Sequence, residues 1–133
     1  MSNCSNDDNV INSDLSGNWK VIYYIENGTK ITKEDKNTWP DYNNGDITTS
    51  FSELSGKGKG NISGKAVTNS FGGEYTVYEN GTISIGPIHT TEMNEPEWTD
   101  LFRIGLAESY EIKNSKLILY YNDKKNNITF EQY

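Results

Sequence analysis

From residue 15 onward, apolar and polar positions alternate in short runs broken by Asn, Gly and Asp. A period of two puts successive side chains on opposite faces of a half-buried strand. The pattern predicts strands over residues 20–25, 29–32, 46–54, 61–67, 73–79 and 82–91. Asn27-Gly28 is a strong turn signal, because both central positions of a type I′ hairpin need positive φ. Asn80-Gly81 joins a second pair. Residues 33–45, with Trp39-Pro40 and Asn43-Asn44-Gly45, read as loop, and residues 55–60 as a flexible connection. A closing meander follows over 109–113, 116–122 and 127–132, turned at Asn114-Ser115 and Asp123-Lys124.

The period changes once. Trp98, Leu101, Phe102 and Leu106 follow helical spacing and make one apolar face. Asn94 is the expected N-cap, with Glu97 as its N3 partner and Pro96 in the first turn. Gly105 weakens such a helix by about 1 kcal/mol, so packing against the sheet must hold it. Consecutive short strands with tight turns indicate a mainly β, antiparallel fold. It is a lipocalin-like barrel or half-barrel of about eight short strands with one α-helix. Trp19, Trp98 and Phe102 have the bulk to plug a small barrel, and a filled interior is the default expectation. Tyr23-Tyr24 and Tyr120-Tyr121 put one ring of each pair on each sheet face.

Composition narrows the picture. A chain of 133 residues is one domain by length, with residues 1–14 as a polar, acidic tether and 15–133 as the folded unit. Aliphatics are sparse, but 9 Tyr, 4 Phe and 3 Trp supply apolar area. A net charge of -7 without a basic stripe excludes a nucleic-acid partner. No apolar run is long enough to span a membrane, and no signal-peptide core is visible. The single cysteine, Cys4, excludes an intrachain disulfide and a cysteine metal cluster.

Catalytic chemistry finds little footing. A nucleophile needs a base oriented by a third group. The one histidine, His89, lies in a predicted strand with no nucleophile elbow beside it. Glu92, Glu95 and Glu97 suit the start of a helix through its dipole. Zinc spacing and a calcium loop are missing, and the Gly-rich run at residues 55–60 lacks the ending of a phosphate loop. No enzyme activity, cofactor or metal is expected.

Several motifs taken together resemble the META domain of HslJ type, a small β-rich module of bacterial envelope lipoproteins. Leu15, Gly17 and Trp19 match its Leu-x-Gly-x-Trp opening. Asn69, Phe71, Gly73 and Tyr75 match its Asn-x-Phe-x-Gly-x-Tyr block, and Thr91 and Met93 match its Thr-x-Met. Tyr110, Ile112, Leu117 and Leu119 match its closing meander. The likeness covers residues 15–130. Thr68 and Glu95 (or a neighbour of Glu95) stand where the family often has cysteines. These positions are mostly structural: Phe71, Tyr75, Met93, Leu117 and Leu119 as core, Gly72 and Gly73 as a bulge or positive φ. Asn69 either caps a turn or faces a ligand. The Gly-x-Trp also resembles the opening of lipocalin-like barrels, where Trp plugs one end and Gly permits close chain approach.

Cys4 with its acidic run looks like the mature start of a lipoprotein, acylated at the cysteine. Met1-Ser2-Asn3 ahead of it lacks a lipobox, and the plain alternative is a stray surface thiol. The resemblance implies a monomeric, stress-related or protein-interaction domain in the cell envelope, anchored to the outer membrane only through that lipid. Its partner would be an unknown envelope protein or cell-wall component. The alternative is a small-ligand carrier. The contact domain ranks ahead of the carrier; an apolar cavity of about 300 Å³ or more would reverse that order, and a packed interior would retire the carrier.

Overall fold

The computed structural model describes residues 14–133. The strands are β1 (Gly17–Glu26), β2 (Thr29–Thr32), β3 (Thr48–Phe51), β4 (Lys59–Lys65), β5 (Ser70–Val77) and β6 (Ile83–Thr90), then β7 (Ser109–Lys113), β8 (Lys116–Tyr121) and β9 (Asn126–Gln132). All pair antiparallel in one sheet ordered β6-β5-β4-β3-β1-β9-β8-β7, with β2 on β1 beside this path. The sheet curls into a half-barrel whose two ends meet at one short stitch. Thr82 bridges Ser109, Ile83 N donates to Glu108 O at 3.0 Å, and Tyr110 N donates to Gly81 O at 3.1 Å.

Turn chemistry placed the hairpins. Asn27 and Gly28 have φ of 50° and 86°, and Asn114 and Ser115 have 54° and 65°, the positive values a primed turn needs. Strand β1 is the hub, bonded to β3 through residues 17–20, to β2 through 23–26 and to β9 along its other edge. Its register slips against β9 between Val21 and Tyr23. That bulge resets the alternation: Trp19 and Val21 are buried, and the next buried side chain is Tyr24 rather than Tyr23. Tyr23 instead lies under Lys30 Nζ, 4.4 Å from its ring centre.

Among the described residues, large side chains occupy the interior. Trp19, Tyr24, Tyr75, Trp98 and Phe130 are each under 2% exposed. Trp19 Nε1 donates to Leu15 O at 2.8 Å, tying residue 15 to β1. Tyr24 packs 4.6 Å from Trp98 and donates its hydroxyl to Trp98 O. Trp98 Nε1 is buried with no partner among the described residues, so Trp98 contributes volume and apolar area rather than polarity.

The helix is shorter than its pattern. α1 is one turn, Glu97–Asp100, with Pro96 rather than Asn94 at its N-cap, followed by a 3-10 turn at Ile104–Leu106. Leu106 is 55% exposed and does not join an apolar face. Two effects shorten the helix. Trp98 N donates to Asn37 O at 3.0 Å, a tertiary bond, while Thr99 and Phe102 close tight turns onto Pro96 and Thr99. A single turn repays little of the cost of nucleation, and Gly105 discourages extension.

Candidate functional site

Residues 66–69 turn the chain from β4 into β5, with Ala66 N donating to Asn69 O at 2.8 Å. The buried Asn69 side chain reaches the strap of residues 91–95 that leaves β6. Its Nδ2 donates to Met93 O at 2.9 Å and to Glu95 Oε2 at 2.7 Å. Its Oδ1 accepts from Thr91 Oγ1 at 2.7 Å and Met93 N at 2.8 Å. Two donors and two lone pairs are thereby used. Asn69 caps, and no capacity is left over for a ligand.

Glu95 completes the clasp. Its Oε2 accepts from Thr68 N, Asn69 N and Asn69 Nδ2 at 3.1, 2.7 and 2.7 Å, and Oε1 accepts from Thr99 Oγ1 at 2.8 Å. Thr68 Oγ1 lies 2.6 Å from Asn94 O and 2.9 Å from Glu95 Oε2, its one proton serving either. Burial alone pushes the Glu95 carboxyl up. The bonds from Thr99, Thr68 and Asn69 outweigh it and hold the group below the ordinary carboxylate range. Hydrogen bonds thus join Thr68, where the family resemblance often has a cysteine, to Glu95, which itself or through a neighbour stands at the second such position.

Beside the clasp the chain leaves an open groove of about 500 Å³ between β5, β6, the strap and residues 99–105. Phe71, Ile88, Phe102 and Ile104 supply its apolar lining, Asn69 and Glu95 one wall, and Met93 and Arg103 part of its rim. The rings of Phe71, Phe102 and Phe130 follow one another at 5.5 and 6.4 Å, so the lining is continuous with the core. Arg103 is the one arginine of the chain. It also borders a second, polar hollow of about 330 Å³ with Tyr121 and Asn126. Its guanidinium stands 4.0 Å from Glu26 Oε2, beyond hydrogen-bond reach, while Glu26 accepts the Tyr121 hydroxyl at 3.0 Å.

The structure gathers Asn69, Phe71, Thr91 and Met93 at this one place. Gly17, Trp19 and Tyr75 lie elsewhere, in the opening strand and the core. Met93 was expected in the core but is 63% exposed; the clasp holds its backbone and leaves its side chain at the groove rim. Gly17 has φ of 126° and open space where a Cβ would sit, so backbone conformation, not close approach, requires glycine there. Gly73 adjoins the expected bulge, and a Cβ on it would lie 2.6 Å from Pro87 O. Cys4 falls outside the described residues. His89 is exposed on β6, and among the described residues no three His, Cys, Asp or Glu side chains are placed to hold a metal. No sequence pattern marks Arg103, Ile88 or Ile104 as site residues. A lone arginine in an acidic chain was the one available signal.

Comparison with known proteins agrees with this architecture. The META domain family model matches residues 13–133. A crystal structure of a DUF4847 family protein from Bacteroides vulgatus ATCC 8482 superposes with a TM-score of 0.62 at 15% identity, over 94% of this chain and 98% of that one. At that identity the likeness is one of fold. No curated protein matches the chain. Since the family model spans nearly the whole folded unit and the strands, clasp and core carry its motif residues, the chain belongs to the META domain family.

Proposed function

We propose that this META domain is a non-enzymatic binding domain of the bacterial cell envelope, of HslJ type, that holds the apolar part of a small molecule in the groove beside the Asn69–Glu95 clasp. The observation that carries the reading is the groove itself: about 500 Å³, lined by Phe71, Ile88, Phe102 and Ile104, in a domain whose interior is otherwise packed. Ligand pockets have this size and this apolar character. Trp19, Tyr24, Tyr75, Trp98 and Phe130 are buried in the interior among the described residues, which favours the side of the fold as the place for a carrier's ligand. Its support as a non-catalytic domain is that the polar groups along the groove, Asn69, Thr91 and Glu95, are spent on one another.

A second reading is a contact domain for an envelope protein or cell-wall component, with a stress-related role and the chain acting as a monomer. The exposed Met93 at the rim favours it. In either case Cys4 and the acidic residues after it supply the lipid tether to the outer membrane. Mass spectrometry of Cys4 in protein from native membranes checks the tether: an acylated thiol supports it and a free one removes it. The groove is checked by titrating neutral dodecanol into labelled protein and following amide and methyl shifts. Shifts centred on Phe71, Ile88, Phe102 and Ile104 are expected. Shifts centred on Trp19 and Val21 would move the site into the barrel.

A further inference from the structure

We infer that the groove selects single-chain amphiphiles with a carboxylate head, the head paired with Arg103 and the hydrocarbon chain laid over Phe71, Ile88, Phe102 and Ile104. The inference rests on the groove reading above and adds the chemical class of the ligand. Three observations lead to it.

The first is where positive charge stands. The chain carries a net charge of -7, yet its one guanidinium borders this apolar groove. A guanidinium presents a planar fork that fits a carboxylate bidentately. Glu26, engaged by the Tyr121 hydroxyl, forms a long ion pair with Arg103 at 4.0 Å, which leaves the fork's hydrogen bonds open to a carboxylate head.

The second is where negative charge is unavailable. Glu95 also lines the groove, but its carboxylate accepts from Thr68, Asn69 and Thr99. Binding a cation there would compete with bonds that already satisfy the group. Glu92 is the remaining acid at the groove; it is exposed on the strap as Arg103 is exposed on its own segment, and the ammonium amphiphile in the test below decides between the two charges.

The third is what the groove cannot satisfy. A peptide laid in it would bring backbone amides to a wall whose side chains Asn69, Thr91, Glu95 and Thr99 are already bonded to one another. Unpartnered amides are costly to bury. A hydrocarbon chain brings none, and its head needs only the rim.

The test compares ligands of one chain length by isothermal titration at physiological salt, below their micelle concentrations: dodecanoate, dodecanol and dodecyltrimethylammonium. The full chain is used. Dodecanoate is expected to bind about tenfold or more tightly than dodecanol, the scale of one charge-assisted bidentate contact. In Arg103→Gln the ratio of the two affinities should fall to about one, and Arg103→Lys should keep only part of it. Thermal melts of both variants confirm that they fold. If dodecanol and dodecanoate bind equally well to the parent protein, the head-group inference fails while the groove reading stands. If neither binds, the groove reading itself fails. A ratio that survives in Arg103→Gln removes Arg103 from the role. Tightest binding by the ammonium amphiphile would overturn the inference in favour of Glu92.

Discussion

Phe130 and Phe102 belong to one run of aromatic rings, 6.4 Å apart, yet only Phe130 is sealed from water. On the Phe130 side, strands β1, β8 and β9 close around the rings. On the Phe102 side, the groove lets solvent reach the same apolar series. The Asn69–Glu95 clasp marks the border between the two, satisfying its polar groups pairwise so that neither side has to. A packed core can thus stand directly beside an apolar surface kept open, where a saturated polar network ties the strap to the sheet.

The comparison breaks first in the packed half. Phe130→Ala should destabilise the fold by about 3–5 kcal/mol, the range for emptying a buried aromatic site. Phe102→Ala should cost about half as much, since part of that ring already meets water. Urea melts of the two variants check the ordering, and equal losses would show the groove to be core. Next comes the border. Glu95→Ala removes the acceptor of several hydrogen bonds, two of them from backbone N–H groups, and should cost about 2–3 kcal/mol. Glu95→Gln should cost less, because it keeps one acceptor oxygen.

The pH dependence of stability separates the regions. The Glu95 carboxyl is held low in the folded state. Its stabilisation is therefore present above the unfolded value of about 4.3 and lost as pH falls through the folded one. The difference in melting temperature between the parent and Glu95→Gln should shrink in that acid window. Burial, with smaller contributions from Asp14 and Tyr110, pushes the Tyr75 phenol up to about 12. Its contribution is present below about 10 and lost as pH rises toward the folded value. Tyr75→Phe should flatten the alkaline limb and leave the acid limb unchanged. The smallest effect belongs to the rim: Met93→Ser should alter stability by no more than about 0.5 kcal/mol, while weakening dodecanol binding measured by titration.

Much of the sheet was legible locally. Asn27-Gly28 and Asn114-Ser115 name their own turns, and alternation in residues 116–121 and 47–51 carries straight into burial. The bulge in β1 was not, because nothing in Val21-Ile22-Tyr23 announces which residue will lack a partner. The helix pattern misled for a related reason. Trp98 takes its place from Asn37 and Tyr24, far along the chain, and periodicity cannot register a bond of that kind. The clasp was half visible: Asn69 and Thr91 stand in a motif, but Glu95 gained its meaning only from facing Thr68. The groove has no sequence signature, since three separate segments meet to make it.

The 3-10 turn at Ile104–Leu106 has a further consequence. A half-barrel held by one stitch leaves most of the outer edge of β6 without a neighbouring strand, and an open strand edge invites pairing with another molecule. Residues 104–108 run beside that edge, anchored where Ile83 N meets Glu108 O. The segment that fell short of a helix thereby acts as a guard against aggregation. Its irregularity is useful in that role, because a turn presents no ladder of its own for a second chain to extend.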